Sequence, residues 1–230
     1  MATDKYSNIG RGGIVKEGVF VRFPELKPAG SDKYWESQLH KKLLIVGESN
    51  YFDDSIDSVF RDPEKWYQGN DTNHLIPDNK KSDVNNWKYY KTFDRLCASI
   101  NNLLNSNIES VCEEALFYNY FLRPATVRIT KGRKNLTFKK DCTQMDREVA
   151  GSALCEIIEL DKPDIIIFVS KYAFFEFQKY INSKGYYYST PIDFVNHPAI
   201  HFSWNHRNGN GKQKFERLLK DYWINQDVLQ

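Results

Sequence analysis

Two short, uninterrupted apolar runs constrain the fold of this chain more than any other feature of its sequence. Residues 43–46 read Leu-Leu-Ile-Val, and residues 165–169 read Ile-Ile-Ile-Phe-Val. A strand with one solvated face alternates apolar and polar side chains, whereas a strand without polar positions must be covered on both faces. Strands of that kind occur in parallel sheets that carry helices on either side. We therefore predict an α/β domain.

The remaining elements alternate around these two strands. Strands are predicted over residues 42–47, 115–121, 164–169 and 192–196, with a shorter strand at 186–188. Apolar spacing and capping residues predict helices over residues 31–39, 84–104, 143–160, 170–182 and 212–223. This order predicts a three-layer α/β/α fold around a central, mostly parallel four-stranded sheet. Residues 31–230 would form this single domain, and residues 1–30 an N-terminal extension or a hairpin over 14–23.

Composition and cysteine spacing exclude several classes of protein. With 41% hydrophobic and 27% charged residues, the chain has the balance of a globular domain and not of a disordered one. The four cysteines contain no Cys-x-x-Cys pair, which argues against a zinc or iron–sulfur site. The N-terminus lacks a signal-peptide core, and the apolar runs are too short to span a bilayer. We expect a cytoplasmic monomer without metal, cofactor or membrane contact. The net charge of +2 neither supports nor excludes nucleic acid as a partner.

Polar motifs follow three of the predicted strands. Ligands of parallel α/β sheets bind outside the carboxyl ends of the strands, which here are residues 47–54, 119–124 and 197–205. We therefore look for function in these three segments.

The three segments resemble motifs of the uracil-DNA glycosylase superfamily. Residues 47–52, Gly-Glu-Ser-Asn-Tyr-Phe, resemble its first motif, which reads Gly-Gln-Asp-Pro-Tyr-His in one branch and Gly-Glu-Ala-Pro-Gly in another. Residues 117–124, Phe-Tyr-Asn-Tyr-Phe-Leu-Arg-Pro, resemble the strand ending in the Asn that reads the uracil edge, and His197-Pro198-Ala199 resembles the second motif, His-Pro-Ser. Residues 160–175 resemble the family's unit of a Pro, an apolar strand, a small loop and an Ala. The resemblance covers about residues 40 to 222 and implies the same α/β/α fold.

The chain departs from the family motifs at four positions. Ser49 stands where one branch has the Asp that activates water, and Asn50 replaces the motif Pro. Phe52 replaces the motif His, and Ala199 replaces the Ser of the second motif. The iron–sulfur cysteines of the other branch have no counterpart.

The resemblance implies catalytic roles for Glu48, Asp54 and His197. Cleavage of an N-glycosidic bond builds positive charge on the sugar and negative charge on the departing base, so it needs a carboxylate and a hydrogen-bond donor. Glu48 or Asp54 would orient water, and His197 would donate to the base oxygen. For Glu48 the equally weighted alternative is a carboxylate that binds nearby backbone amides. For His197 the alternative is a structural histidine at a strand end, and the adjacent Pro198 and the family match favour the catalytic role over it.

Base binding and DNA contact are also implied by the resemblance. Asn119 at the end of its strand would read a pyrimidine edge, with Tyr51 and Phe52 packing against the flipped base. Tyr51 is nearly as well explained as a packed loop residue. Contacts with DNA are predicted for Lys131, Arg133, Lys134, Phe202, Trp204 and Arg207.

Three functions remain open from the sequence. The first is a DNA base-excision glycosylase that hydrolyses the bond to uracil or a related damaged base. The second is a catalytically inactive module of the same fold that binds nucleic acid or a flipped base, which the changes in the first motif favour. The third is an unrelated flavodoxin-like or nucleotide-binding α/β protein, although no Gly-rich phosphate loop follows a predicted strand.

Overall fold

The fold is described from a computed structural model. It describes residues 20, 27–28, 30–52, 63–68, 91–126, 128–130, 133–135, 138–205 and 210–225. The predicted hairpin at 14–23 lies outside these residues except for Phe20. The buried Phe20 ring packs edge-on against Tyr118, with 6.2 Å between ring centres. This part of the N-terminal region therefore contributes to the core.

Six strands form two sheets in the described part of the chain. They are β1 (Leu43–Phe52), β2 (Leu116–Thr126), β3 (Arg128–Thr130), β4 (Arg133–Asn135), β5 (Ile165–Phe168) and β6 (Ile192–Phe194). The main sheet has the order β2-β1-β5-β6, and all its pairs are parallel. β3 and β4 form a separate antiparallel pair. The predicted four-stranded parallel sheet is confirmed.

Helices cover both faces of this sheet, which confirms the three-layer architecture. They are α1 (Asp32–Glu36), α2 (Pro63–Gln68), α3 (Lys91–Leu104), α4 (Gln144–Asp161), α5 (Lys171–Lys184), α6 (His201–Asn205) and α7 (Gly211–Leu218). A π-helical turn, Leu219–Trp223, continues α7, and 3-10 turns lie at Val111–Glu113 and Phe138–Lys140. Ser31, Thr143 and Ser170 each accept a backbone N–H with their hydroxyl oxygen at a helix start. Within the described residues, no helix has the length and apolar character needed to cross a membrane.

The apolar run of β1 is explained by two separate cores. Leu44 and Val46 point into a cluster shared with α4 and α5, while Leu43 and Ile45 point into a cluster shared with α3 and α7. Successive side chains of a strand point to opposite faces, so a strand between two helix layers needs apolar residues at every position. All four residues are fully buried. The sheet is therefore covered on both sides at its centre.

Two strand ends differ from the sequence prediction. β1 continues beyond Gly47 to Phe52, and β2 continues through Arg123 and Pro124 to Thr126. The two strands extend because they keep pairing with each other after β5 has ended. The register shifts where Pro124 occurs, and this irregularity accommodates a residue that has no N–H to donate.

The strand predicted at residues 186–188 is wrong. This segment carries no strand pairing and is held by its side chains. Tyr186 packs against Tyr180, and Tyr188 against Phe177, each with ring centres 6.5 Å apart. The first and third of these three consecutive tyrosines therefore pack on α5, while Tyr187 between them is 90% exposed.

A buried carboxylate at the start of α4 connects elements that are distant in sequence. Asp146 is fully buried and accepts from the Arg123 guanidinium at 2.8 and 2.6 Å. It also accepts from the Tyr67 hydroxyl at 3.0 Å and from the Thr143 backbone and hydroxyl at 2.8 and 2.9 Å. The Arg123 guanidinium lies 4.8 Å from the centre of the Phe138 ring and donates to the Asp141 carbonyl. This network joins β2, α2 and α4.

Replacing Arg123 with Met should strongly destabilise the protein. The change leaves the Asp146 carboxylate buried without its cation, which costs about 3–5 kcal/mol in comparable pairs. Urea denaturation measures the loss. The matched control is Arg147→Met, which breaks a pair with Glu176 whose arginine is 35% exposed. The control should lose less than about 1 kcal/mol. Equal losses in both variants would contradict the structural role of the buried pair.

Candidate active site

Polar side chains gather along the carboxyl edge of the main sheet. Glu48 is on β1, Asn119 is on the neighbouring β2, and His197 follows β6. All four strands run in the same direction, so these ends share one edge. This is the edge at which parallel α/β sheets bind ligands.

Glu48 is a half-buried carboxylate whose two oxygens are both held. One oxygen accepts from the backbone N–H of Phe138 at 3.1 Å, and the other from the Ser170 hydroxyl at 2.8 Å. The Ser170 oxygen also accepts from the Ala173 N–H at the start of α5, which directs the hydroxyl proton toward Glu48. The backbone-amide contact considered for Glu48 from the sequence is therefore present. The carboxylate is fixed by segments on both sides of it.

Asn119 lies inside β2 and not at its end, because β2 is longer than predicted. It is paired with Gly47 of β1. A Cβ atom at Gly47 would lie 2.3 Å from the Asn119 Oδ1 atom and 2.9 Å from the Phe117 ring. The Asn119 amide thus crosses the backbone of β1 in space that only a glycine leaves open.

Ser49 lies two residues beyond Gly47, on the same side of the strand. Its side chain is buried, and its hydroxyl has no hydrogen-bond partner among the described residues. The buried hydroxyls of Ser99, Tyr118 and Tyr120 also lack a hydrogen-bond partner among the described residues, so this feature alone does not mark a ligand site. The polar surface near Asn119 thus includes the residue that replaces the motif Asp.

His197 is held in one tautomer by the loop that follows it. Its Nδ1 atom accepts from the Ala199 backbone N–H at 3.1 Å. A ring nitrogen that accepts carries no proton, so the neutral ring carries its proton on Nε2. Burial lowers the pKa of His197 below the ordinary value of 6.5. At neutral pH the imidazole is therefore an uncharged donor through Nε2.

Arg95 of α3 anchors this loop by donating to the Pro198 carbonyl. Sequence reasoning missed Arg95, as it missed the contact of Ser170 with Glu48. Neither residue belongs to a motif, and each acts through a partner more than 100 positions away. The only signal was that Ser170 precedes a helix, which indicates a cap and nothing more.

Asn119 and Glu48 lie on opposite faces of the main sheet. Gly47 and Asn119 face the layer of α3 and α7, whereas Glu48 faces the layer of α4 and α5, where it meets Ser170. β6 is the third strand from β2, a spacing of about 14 Å between strand axes. A ligand that contacts both Asn119 and His197 would lie across the ends of β1 and β5.

The other predicted site residues fall into two groups. Asp54, Lys131 and Arg207 lie outside the described residues. For a second set only the backbone is described, at the end of β1 and in β4: Tyr51, Phe52, Arg133 and Lys134.

The two aromatic residues of α6 have opposite environments. Phe202 is 72% exposed, whereas Trp204 is 1% exposed and packs against Phe215 at 5.9 Å between ring centres. The prediction that Trp204 contacts DNA is therefore wrong, because α6 turns this ring into the core beside α7. Phe202 remains a surface residue that follows the His-Pro motif.

The cysteines are poor nucleophiles. Burial raises the pKa of Cys97 and Cys142 to about 11, and that of Cys112 and Cys155 to about 12. The thiolate is the reactive form, so these thiols are protonated and inert at neutral pH. Within the described ranges, no group of three or more His, Cys, Asp or Glu side chains is arranged to hold a metal ion.

Comparison with known proteins gives no relative from which to assign a function. No family model matches the chain, and no curated protein or solved structure matches it significantly. The resemblance to uracil-DNA glycosylases thus depends on the motifs and on the residues described above.

Replacing Gly47 with Ala tests the placement of Asn119. The new methyl group overlaps the Asn119 amide and the Phe117 ring, so we expect a loss of about 1–3 kcal/mol in free energy of unfolding. In an Asn119→Ala background the same change should cost less, because the nearest overlapping atom is absent. Chemical denaturation of the four proteins completes the cycle. Additive losses would show that the Asn119 side chain does not lie over Gly47.

Proposed function

We propose that this chain is a DNA base-excision glycosylase that hydrolyses the N-glycosidic bond of uracil or a related damaged base. The observation that carries the proposal is the hydrogen bond from Ala199 to Nδ1 of His197. It makes the Nε2–H group a donor with a fixed direction, at the strand end where the family resemblance expects the catalytic histidine.

The charge state of His197 suits this chemistry. As the glycosidic bond breaks, negative charge develops on an oxygen of the departing base, and a donor already aimed at that oxygen stabilises the transition state. The ring needs no reorganisation, because its tautomer is set by the loop before substrate binds. Its lowered pKa keeps the ring neutral at physiological pH.

Glu48 supplies the negative charge that the sugar requires. Its carboxylate faces a developing oxocarbenium ion or orients water toward it. The Phe138 amide and the Ser170 hydroxyl occupy one position on each oxygen and leave the other lone pairs for a ligand.

Recognition of the base is assigned to Asn119 and the duplex contact to Phe202. An amide both donates and accepts, as the edge of a pyrimidine requires. Phe202 is the exposed aromatic residue five positions after His197, suited to fill the space left by an extruded base. The substrate in this proposal is DNA, and the reaction uses water alone as co-substrate.

A base-binding module without turnover is the second candidate. The observation that favours it is Ser49, a buried hydroxyl at the position of the water-activating Asp in one branch of the family. A hydroxyl binds a ligand atom but does not take a proton from water at neutral pH. In that case Glu48 would have a structural role through Phe138 and Ser170.

Release of uracil from a labelled, uracil-containing oligonucleotide separates the two candidates. The parent should release the base, and His197→Ala should reduce the rate by about 10²–10³, the cost of removing one such donor. Glu48→Gln should reduce it as well, while Glu36→Gln on α1 serves as a control of equal charge change. No release by the folded parent from single- or double-stranded substrate would reject uracil excision and favour the binding module.

The rate should also depend on pH through His197. The neutral ring is the active form and its pKa lies below 6.5, so the rate should be level above that pH and fall only below it.

The free energy of unfolding should also fall in acid. The reason is that the His197 ring has a higher pKa in the unfolded chain than in the folded one, so protons bind the unfolded chain preferentially. Acid should therefore destabilise His197→Gln less than the parent below pH 6.5. An equal acid response of parent and variant would contradict a half-buried, neutral His197.

A further inference from the structure

A strip of lysine and aromatic side chains lies beside Glu48. The Lys139 ammonium is 6.0 Å from the centre of the Tyr172 ring. The Lys171 ammonium is 5.8 Å from the ring centres of both Phe175 and Phe194. We call these five residues the lysine–aromatic strip. No sequence motif predicted that these five residues would form a cluster.

The strip is tied to the candidate site by the backbone. Lys139 directly follows Phe138, whose N–H binds one oxygen of Glu48. Lys171 directly follows Ser170, whose hydroxyl binds the other oxygen. Each of the two segments that fix the carboxylate therefore carries a lysine next in sequence to the residue that binds it.

Lys171 carries one of the positive charges of the strip. Within the described residues, Lys171 has no ion-pair partner. The acidic residue of β6, Asp193, is already paired with Lys214 at 2.7 Å, and that of α5, Glu176, with Arg147 at 2.7 Å. The acidic residues of the two elements that carry Lys171 and Phe194 are thus already paired with other cations.

We propose that the lysine–aromatic strip binds a single-stranded segment of nucleic acid next to the candidate site. Lysines spaced along a surface neutralise successive phosphates, and exposed rings stack on unpaired bases, which a duplex does not offer. Phe175 is 43% exposed and is the ring of the strip that presents area to an unpaired base. Tyr172 stacks on Phe121 and Phe194 packs on Phe174, so these two rings fix the strip to the core. The direction of the bound strand and the identity of the base at the candidate site depend on the proposed function. Binding of a single strand to the lysine–aromatic strip does not depend on it.

Fluorescence anisotropy with a labelled thymidine oligonucleotide, which contains no uracil, tests the strip. The double variant Lys139→Gln/Lys171→Gln should weaken binding at least about tenfold at low salt and reduce the salt slope by about 1.4, or about 0.7 for each lost phosphate contact. Phe175→Leu keeps apolar bulk but removes the ring, and should weaken binding at least about fivefold. Lys41→Gln, at the opposite edge of the sheet, is the matched control and should bind as the parent does.

Several results would overturn the proposal. They are parent-like single-strand binding by the double variant, an equal loss in Lys41→Gln, and a larger loss by the double variant for a hairpin duplex than for the single strand. A loss of binding to phosphatidylserine vesicles with unchanged oligonucleotide binding would also overturn it and indicate a membrane surface. If strip variants lose oligonucleotide binding while the parent releases no uracil, the strip stands and the glycosylase proposal fails.

Discussion

The buried Asp146 carboxylate is the interaction on which the rest of the structure depends. It binds Arg123 from β2, Tyr67 from α2 and the cap of α4, so it joins one strand of the main sheet to two helices. The Arg123 guanidinium also lies against the Phe138 ring, and the Phe138 N–H holds Glu48. A single desolvated ion pair thus connects the core to the candidate site. Because burying charge is costly, such a pair is stable only when all its lone pairs and protons are satisfied, as they nearly are here.

The carboxyl edge of the sheet combines two different environments. On the side of α3, Asn119, Ser49 and the anchored His197 loop provide neutral donors and acceptors. On the side of α5, Glu48 is held by the Phe138 N–H and the Ser170 hydroxyl, and a lysine of the lysine–aromatic strip directly follows each of these two residues. Base recognition requires the first kind of surface and a phosphodiester backbone the second. The arrangement supports a proposed substrate that is a nucleotide within a strand, with its base and backbone held by different layers.

Much of the fold was predictable from local pattern, and much of the site was not. The apolar runs at 43–46 and 165–169 predict buried parallel strands, and Thr143 and Ser170 mark helix starts that the structure confirms. Strand lengths were underestimated because β1 and β2 stabilise each other beyond Gly47, a pairing between residues about 70 positions apart. Phe202 and Trp204 are two residues apart in one short helix, and only packing against Phe215 decides which is buried. The partners of Glu48 depend on long-range contacts in the same way.

The central claim is that His197 is a neutral donor through Nε2. Long-range ¹H–¹⁵N correlation NMR of the histidine rings, with His197→Gln to assign one of the five, reads the tautomer directly. At pH 7 we expect an unprotonated Nδ1 and a protonated Nε2, with protonation of the ring only at a pH below 6.5. A ring that is cationic at pH 7, or that carries its proton on Nδ1, would contradict the account.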